Sequence, residues 1–427
     1  MQDAGKNPIF KCLRVSYELL EKDLKDCLLL LANFPENAVL KKMLLIYWWI
    51  GEGLVTDEEK GEKIFDDLLE LELIMPHRND KCPLVNKCQI HPWIRYMLII
   101  VAEKAKILSL DDGMIPRFDT DKDPHRTCLI VERSNVTSKN GSEMENLKSI
   151  FNVNQSYLDL QLEWFAKLKS LEVLQLGRWL VSSTHHIEVR SESFLKGLRT
   201  QRGLKYLSLR GVSRITELPS FIGELVNLEI LDLKACHNLE TLRADIVSLK
   251  KLTHLDVSEC YLLESMPKGL GKLTRLQVLK GFIIGSSQET TIGIEDLRKL
   301  EKLERLSIHI GSESVINDEF KKLEGLRNVR CLKISWGVWL NPSRLEKLDK
   351  LYIMGGNLGS LGQVQTEEQH WNVKYLILKY TDKLQIDKQT LRKLFPSIEY
   401  AKKVRWIKGG GTSTTSGRQL IDFELNN

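Results

Sequence analysis

The sequence predicts an α/β protein in which a helical N-terminal domain precedes a solenoid of short parallel strands. One observation is a leucine pattern that recurs with a nearly constant period over more than half of the chain. The other is a series of apolar and amphipathic helical stretches in the first 110 residues, where that period is missing. At 427 residues the chain is too long for one simple core, so we expect separate domains or a repeat architecture.

The pattern LxxLxL defines the repeat. Its copies begin at Leu171, Leu204, Leu228, Leu252, Leu276, Leu303, Val329, Leu348 and Val373. The copies from Leu204 to Leu276 start 24 residues apart, inside the period of leucine-rich repeats. The leucines at the fourth and sixth positions share one face of a short strand. Because one repeat cannot bury its apolar edge alone, we expect a stacked horseshoe with a parallel sheet on its concave side.

The repeat becomes irregular at both ends. "RTCLIVER" and "LKSIFNV" between residues 126 and 153 predict two irregular opening strands, and "FPSIEYAKKVRWI" predicts a last strand or cap. The glycine-rich and serine-rich "KGGGTSTTSG" after it is typical of a flexible tail. We therefore expect a helical domain at 1–110, a linker at 111–123, repeats at 124–407 and a tail at 408–427.

The N-terminal domain reads as three helices followed by a two-stranded wing. The first stretch, "LRVSYELLEKDLKDCLLLLANF", has helical spacing with a break near Leu20. The second runs through "LKKMLLIYWWIGEG", and the third covers Glu58 to Leu71. Two short extended pieces joined by a polar turn follow, so the order is that of a winged helix. A further helix opens at Pro92, which suits a first helical turn.

Several classes of function are disfavoured by the sequence. A net charge of +5 is too small to indicate nucleic-acid or membrane binding, and "MLLIYWWI" is too apolar for a DNA-reading helix. The spacing of His77, Cys82, Cys88 and His91 fits no common zinc pattern. No phosphate-binding G-x-x-x-x-G-K-[ST] and no catalytic motif occurs, so we expect no enzyme. The longest apolar runs are too short to span a membrane.

Candidate binding residues are those between the repeat leucines, which are expected to point outward. A protein partner is favoured over a phosphate backbone because their charges are mixed. Trp336 and Trp339 are the most suggestive, since exposed aromatic side chains often anchor interfaces, although an irregular turn could equally cover them. The predicted partner-binding residues are Lys205, Tyr206, Ser208, Arg210, Asp232, Lys234, His254, Asp256, Lys333, Ser335, Trp336, Tyr352, Lys374, Tyr375 and Lys379.

The N-terminal domain resembles the winged-helix segment of plant NB-ARC disease-resistance receptors, above all those of the coiled-coil class. The matching positions are Leu13, Ser16, Tyr17, Leu20, Leu24, Lys25, Cys27, Phe34, Pro35, Glu36, Trp49, Glu52 and Gly53. In that family a Met-His-Asp motif opens the last helix, and leucine-rich repeats follow. The resemblance implies an intracellular immune receptor. In the family, exchange of ADP for ATP opens the receptor, and the repeats sense a pathogen effector or a guarded host protein.

The chain departs from the family in two respects. It carries no nucleotide-binding P-loop, so we expect no cofactor for this chain alone, whereas the family binds ADP or ATP. Its motif reads Ile90-His91-Pro92, in which proline replaces the acidic residue. The resemblance places His91 at the family's ADP-contacting position, and we interpret it as the remnant of that contact.

We therefore expect a truncated receptor of defence responses that acts through protein recognition by its repeats. The expected partners are a pathogen effector, a guarded host protein or an intact receptor relative, without nucleic acid and without a transmembrane segment. The expected location is the cytoplasm, including peripheral attachment to the plasma membrane. One alternative is a complete nucleotide-dependent receptor of which this sequence is a fragment, and a P-loop found upstream would establish it. The other is a substrate adaptor of a ubiquitin ligase, in which a short helical module also precedes leucine-rich repeats. Co-purification with a ligase scaffold would favour that alternative.

Overall fold

The structure is a computed structural model. It describes the residues 8–77, 82–104, 109–110, 116–117, 126–129, 147–152, 156–158, 165, 168–179, 186–284, 292–310, 322–337, 345, 347–356, 372–381, 384–407 and 418–426. Within these residues the chain forms two compact units. Unit 1 comprises 1–80, 84–215 and 227–232, and unit 2 comprises 81–83, 216–226 and 233–427.

Unit 1 begins with the winged helix that the sequence predicts. Its helices are α1 (Pro8–Leu19), α2 (Lys22–Leu30), α3 (Lys42–Gly51), α4 (Glu58–Glu70) and α5 (Pro92–Lys104). Its strands are β1 (Leu40–Lys41), β2 (Met75–Pro76) and β3 (Lys87–Gln89). They form an antiparallel sheet in the order β1–β3–β2, in which β2 and β3 are the wing. The break near Leu20 and the helix that opens at Pro92 are confirmed.

Local sequence explains the helices of this domain. The carboxylate of Asp57 accepts the backbone N–H of Lys60 at 2.8 Å and caps α4, which then carries two glutamates in its first turn. In α3 every side chain from Leu44 to Ile50 is buried, as expected for a helix that is apolar on all sides. The Cβ position of Gly61 in α4 lies 2.6 Å from the Ile46 side chain, so a glycine lets α4 approach α3 closely.

Unit 1 continues with a pair of short antiparallel strands and then with the first strands of the repeat region. The strands are β4 (Ser109–Leu110), β5 (Pro116–Arg117), β6 (Arg126–Leu129), β7 (Ser149–Asn152), β8 (Tyr157–Leu158), β9 (Val173–Gln175), β10 (Glu188–Val189), β11 (Tyr206–Ser208) and β12 (Ile230–Asp232). The parallel order is β6–β7–β9–β11–β12. Thus the two irregular opening strands are confirmed as β6 and β7. A short 3-10 helix, Glu192–Thr200, returns the chain towards β11.

Unit 2 holds the later repeats. The strands are β13 (His254–Asp256), β14 (Val278–Ile284), β15 (Arg305–Ile310), β16 (Cys331–Gly337), β17 (Lys350–Gly356), β18 (Tyr375–Lys379), β19 (Tyr400–Ile407) and β20 (Arg418–Asn426). Neighbours from β13 to β19 are parallel. The returning segments are the 3-10 helices Ser220–Glu224, Ala244–Ser248, Leu270–Lys272, Ile294–Lys299 and Lys322–Gly325, and helix α6 (Lys388–Leu394).

The prediction of a flexible tail is wrong for its last part. Residues 418–426 form β20, which pairs antiparallel with β19. The segment "RQLIDFELN" can form a strand that packs on one face, and Leu425 is buried there. The Tyr400 hydroxyl also donates a hydrogen bond to Glu424 of β20. Residues 408–417 of the predicted tail lie outside the described residues.

The two compact units do not follow the domain bounds expected from the sequence, which stay a prediction. Unit 1 joins the winged helix to the first repeat strands because the two parts share a hydrophobic core. Most of the expected linker, 111–123, lies outside the described residues. Among the helices that the structure describes, none has the length and apolar character needed to cross a membrane.

Candidate functional site

Four aromatic rings join the winged helix to the first repeats inside unit 1. Phe34 and Trp48 come from the winged helix, and Phe151 and Trp179 come from the repeat region. Each ring lies 4.4–5.7 Å, centroid to centroid, from the other three. All four side chains are buried. We call this group the aromatic cluster, and it makes the two parts one core.

The C-terminal end of α3 packs directly on the second repeat. A Cβ added at Gly51 would lie 2.6 Å from the Cβ of Tyr206, so only glycine fits this approach. The indole N–H of Trp48 donates to Glu52 at 3.0 Å, one turn later in the same region. Tyr206 and Ile230 belong to the same hydrophobic core as α3. In unit 1 the strand face between the repeat leucines is therefore covered by the winged helix.

This packing corrects the expectation that the early candidate residues point to solvent. The side chains of Tyr206, Ser208, Arg210 and Asp232 are all buried. Arg210 Nε donates to Asp232 Oδ2 at 2.7 Å, and the Ser208 hydroxyl donates to the same oxygen at 3.3 Å. The Tyr206 hydroxyl donates to Gln175 at 2.7 Å, and burial raises the pKa of that hydroxyl. These residues form a paired internal network. Lys205 is half-buried and forms an ion pair with Glu172 at 2.7 Å.

In unit 2 the first two candidates on the strands are buried as well. His254 and Asp256 lie on β13 with little exposure. The carboxylate of Asp256 accepts the backbone N–H of Ser258 at 3.0 Å and also the Ser258 hydroxyl. His254 Nδ1 lies 2.7 Å from the Thr253 hydroxyl. For both residues the expectation of an outward, solvent-facing side chain is therefore not met.

The later candidates are more accessible. Lys333, Tyr352, Tyr375 and Lys379 are half-buried, Lys374 is exposed and Ser335 is buried. The Tyr375 hydroxyl donates to Glu399, and burial together with that bond raises the pKa of Tyr375 to about 12. Trp336 lies in β16, but its side chain is outside the described residues, as is the whole of Trp339. Binding by these residues stays a prediction.

Two groups that the sequence did not indicate, Glu259 and His309, lie near the predicted residue Lys333. Burial lowers the pKa of Lys333, and Lys234 and Lys379 add to this effect, while Glu259 and Asp256 oppose it. Lys234 and Glu259 form an ion pair at 2.7 Å. Burial lowers the pKa of His309, and Lys333 adds to that effect as well. The sequence could have indicated His309, because it lies two residues after Ser307 in the same strand. Alternation therefore places both side chains on the face opposite Leu306.

His91 has a structural role at the start of α5. Its Nδ1 accepts the backbone N–H of Trp93 at 3.2 Å, and its carbonyl accepts the N–H of Arg95 at 2.9 Å. Pro92 occupies the first helical position, where the N–H that it lacks has no helical partner. His91 therefore acts as an N-cap, and this use of Nδ1 requires that nitrogen to be unprotonated.

The geometry around His91 also shows whether these residues fit the nucleotide that the resemblance implies. The acidic position is occupied by Pro92, which offers no side-chain oxygen. The Nδ1 of His91 is already engaged by Trp93, so one ring nitrogen is left for a ligand. In this part of the chain, as far as the structure describes it, the residues therefore do not fit a nucleotide by themselves.

Two other residues of the weighed zinc pattern, His77 and Cys88, have ordinary surroundings. His77 Nδ1 lies 3.2 Å from the side-chain oxygen of Gln89. Cys88 is fully buried in the core of the winged helix, where burial raises the pKa of its thiol to about 12.

Arg95 of α5 donates a hydrogen bond to the Phe34 carbonyl at 2.6 Å and so connects α5 to the segment before β1.

Comparison with known proteins adds two family matches. The leucine-rich repeat region family matches residues 146–394. The disease resistance protein winged helix domain matches residues 34–98. The first match covers more than half of the chain, and its limits contain the strands β7 to β18. The second contains α3, α4 and the wing.

Curated relatives match both parts together. The chain is 26% identical over 441 residues to disease resistance RPP13-like protein 4 of Arabidopsis thaliana, covering 91% of this chain and 49% of that protein. It is 25% identical over 341 residues to disease resistance protein RPP8 of the same plant, covering 78% and 36%. The chain thus spans about half the length of the first relative and about a third of the second.

Among solved structures, a leucine-rich-repeat protein of Leptospira interrogans is similar at 21% identity, covering 64% of this chain and 81% of that one, with a TM-score of 0.31. The sequence match to the repeat family extends over the parallel strands from β7 to β18. The winged-helix match falls on the domain packed against the first of them. The chain therefore belongs to the leucine-rich-repeat family, in the form that joins its repeats to the winged-helix domain of plant disease resistance proteins.

Proposed function

We propose that this chain acts in plant defence as the recognition part of an immune receptor, through protein–protein contacts of its repeats. The observation that carries the proposal is the joining of a disease-resistance winged helix and leucine-rich repeats into one core. Relatives named as disease resistance proteins match over most of the chain and support it. The proposed partners are a pathogen effector, a guarded host protein or an intact receptor relative.

The proposed recognition surface is the strand face of unit 2, defined by Lys333, Tyr352, Tyr375 and Lys379. These side chains are half-buried, so they keep contact area for a partner, whereas the equivalent face in unit 1 is internal. Tyrosine is enriched among the residues that dominate binding energy at interfaces. Because Pro92 stands at the family's acidic position, the proposal assigns no nucleotide chemistry to these residues.

We propose that this recognition takes place inside the cell. The buried thiols Cys27 and Cys88 form no disulfide, which fits a reducing compartment. Burial raises the pKa of both thiols, so both are held in the protonated, weakly reactive form.

A genetic experiment tests the proposed function. Plants in which the chain is deleted are challenged with a panel of pathogen isolates, and growth of each isolate is measured against the parent line. We expect increased growth of at least one isolate, and restoration of resistance by the wild-type chain. Unchanged growth of every isolate, together with co-purification of the chain with a ubiquitin-ligase scaffold, would instead establish the adaptor function.

A further inference from the structure

The register of unit 2 aligns basic side chains on one face of the sheet. Strands β14 to β18 pair so that Lys280, Ser307, Lys333, Tyr352 and Ile377 form one line across them. The neighbouring positions Leu279, Leu306, Leu332, Leu351 and Leu376 are fully or almost fully buried. Because successive side chains alternate between faces, the line that contains Lys280 and Lys333 occupies the opposite face from these leucines.

Two further lines flank this one on the same face. One line consists of Val278, Arg305, Cys331, Lys350 and Tyr375, and the other of Ile283, His309, Ser335, Met354 and Lys379. The three lines together carry five lysine or arginine residues and no aspartate or glutamate. We call these positions the basic strand face.

Lys333, the central cation of the face, lies in surroundings that disfavour its charged form. Lys333 is half-buried, and burial with nearby Lys234 and Lys379 lowers its pKa. The nearest acids are Asp256 of β13, which is the register partner of Lys280, and Glu259, which forms an ion pair with Lys234 at 2.7 Å. A partly desolvated cation among other cations costs free energy, and such sites are candidates for ligand binding.

The spacing of the charges favours an extended ligand. Adjacent strands lie about 4.8 Å apart, so Lys280 on β14 and Lys333 on β16 are roughly 10 Å apart along their line. Lys379 on β18 lies two strands further, in the flanking line that contains Ser335 and Met354. Carboxylates on one side of an extended polypeptide recur about every 7 Å, so one such segment can meet several of these cations. A compact phosphate group would meet one or two of them.

Two tyrosine side chains lie next to the cations of the basic strand face. Tyr352 lies beside Lys333 in its line, and Tyr375 lies beside Lys350, whose Nζ is 5.7 Å from the Tyr375 ring centroid. Both tyrosines are half-buried. Together with the cations they give the face apolar contact area as well as charge, which is a feature of protein interfaces.

We propose that the basic strand face binds a carboxylate-rich segment of a partner protein, laid across strands β14 to β18. This inference rests on the proposed recognition function and specifies the chemistry of its partner. Electrostatic complementarity would set the orientation of the segment and speed its association. The segment would also neutralise Lys333, whose own surroundings leave its charge only partly compensated.

The test is a binding titration with the full chain. A fluorescein-labelled oligoglutamate peptide is the probe, and an oligolysine peptide of equal length is the comparison. We expect the oligoglutamate peptide alone to bind, with an affinity that falls as salt rises. The double variant Lys280→Glu, Lys333→Glu should raise its Kd roughly tenfold or more. If the charge reversal impairs folding, the milder double variant Lys280→Gln, Lys333→Gln takes its place. This variant should also raise the Kd of the oligoglutamate peptide.

A matched control distinguishes the effect of charges on the basic strand face from the effect of net charge. Lys268 and Lys302 are exposed residues of unit 2 outside the basic strand face, and Lys268→Glu, Lys302→Glu makes the same change in net charge. This control should bind the oligoglutamate peptide like the wild-type chain. Equal weakening in both double variants would overturn the proposal. Tight binding of inositol hexakisphosphate without binding of the peptide would overturn it too and assign the face to a phosphate ligand.

The outcome is separable from that of the genetic experiment. If the deletion raises pathogen growth but all variants bind the peptide equally, the acidic-segment proposal fails and the immune function stands. If the deletion leaves pathogen growth unchanged while the variants behave as expected, the face binds acidic segments and the immune function fails.

Discussion

His91 connects the wing to α5 through two hydrogen-bond acceptors. Its ring accepts the N–H of Trp93, and its carbonyl accepts the N–H of Arg95. Arg95 in turn donates to the Phe34 carbonyl, so the start of α5 is tied to the segment that carries one ring of the aromatic cluster. The residue that the resemblance assigns to the family's ligand contact therefore has a local structural function in this chain.

The capping role makes a prediction about His91. His91→Ala removes the acceptor of the Trp93 N–H and should lower the free energy of unfolding by about 1 kcal/mol. His91→Asn supplies a side-chain oxygen at the same position and should stay close to wild type, because asparagine is a favoured N-cap. Urea unfolding followed by circular dichroism measures both. Equal destabilisation by the two variants would show that the ring acts by some other contact.

At the scale of elements, α3 determines how unit 1 is built. Its buried side chains include Trp48, which contacts the other rings of the aromatic cluster, and its last residue is Gly51. The helix is apolar on all sides because it lies between α4 and the first repeat strands. The apolar sequence of α3 thus follows from its packing on two opposite sides.

The aromatic cluster should dominate the stability of unit 1. Trp48→Ala removes a fully buried indole and should lower the free energy of unfolding by about 3–5 kcal/mol. Trp93→Ala is the matched control because the Trp93 side chain is 44% exposed, and its effect should stay within about 0.5 kcal/mol. Chemical unfolding monitored by tryptophan fluorescence compares them. Similar losses in the two variants would contradict a central role for the cluster.

Glycine at position 51 is required by lack of space, whereas at position 53 the backbone conformation favours glycine but also admits asparagine. Gly51→Ala places a Cβ 2.6 Å from the Tyr206 Cβ and should cost about 1–3 kcal/mol through forced repacking. Gly53 has φ +72° and no neighbour within 4 Å of its added Cβ, so Gly53→Asn should be tolerated, since asparagine accepts this conformation. Melting temperatures of both variants check this difference, and a milder effect at Gly51 would mean that α3 can shift.

The same elements show how far the sequence could predict the structure. Leucine spacing located β9 and β11 to β18, and the apolar helix, the wing and the helix after His91 were also predictable. Alternation could place Tyr206, Ser208 and Asp232 opposite the leucines, but it contains no information about what covers that face. The covering depends on α3, which is distant in sequence, and on the absence of a side chain at Gly51. The tail strand β20 depends likewise on its partner β19.

At the scale of the whole chain, the two units use the same repeat face differently. In unit 1 this face is internal and its charges are paired, as in Arg210 and Asp232. In unit 2 the face carries the half-buried cations of the basic strand face. Under the proposed function, this face serves stability in unit 1 and recognition in unit 2.

The pH dependence of unit 2 should reflect His309. Burial and Lys333 lower the pKa of His309 in the folded chain, whereas the unfolded chain titrates near its ordinary value of about 6.5. Below that pH the unfolded chain binds a proton that the folded chain binds less readily, so stability falls as pH falls through this window. His309→Gln removes the group, and its melting temperature should decrease less between about pH 7.5 and 5.5. An identical decrease in both proteins would contradict the expectation.

Lys333 should show opposite effects on stability and on binding. Lys333→Met keeps the length of the side chain and removes a charge that burial and neighbouring lysines disfavour. We expect the free energy of unfolding to rise by about 0.5–1 kcal/mol, as at other sites where function keeps an unfavourable residue. The same variant should lose affinity for the oligoglutamate peptide. Lys302→Met, at an exposed position, should change neither quantity. A loss of stability in Lys333→Met would mean that its charge is well compensated within unit 2, and one of the reasons for expecting an acidic partner would disappear.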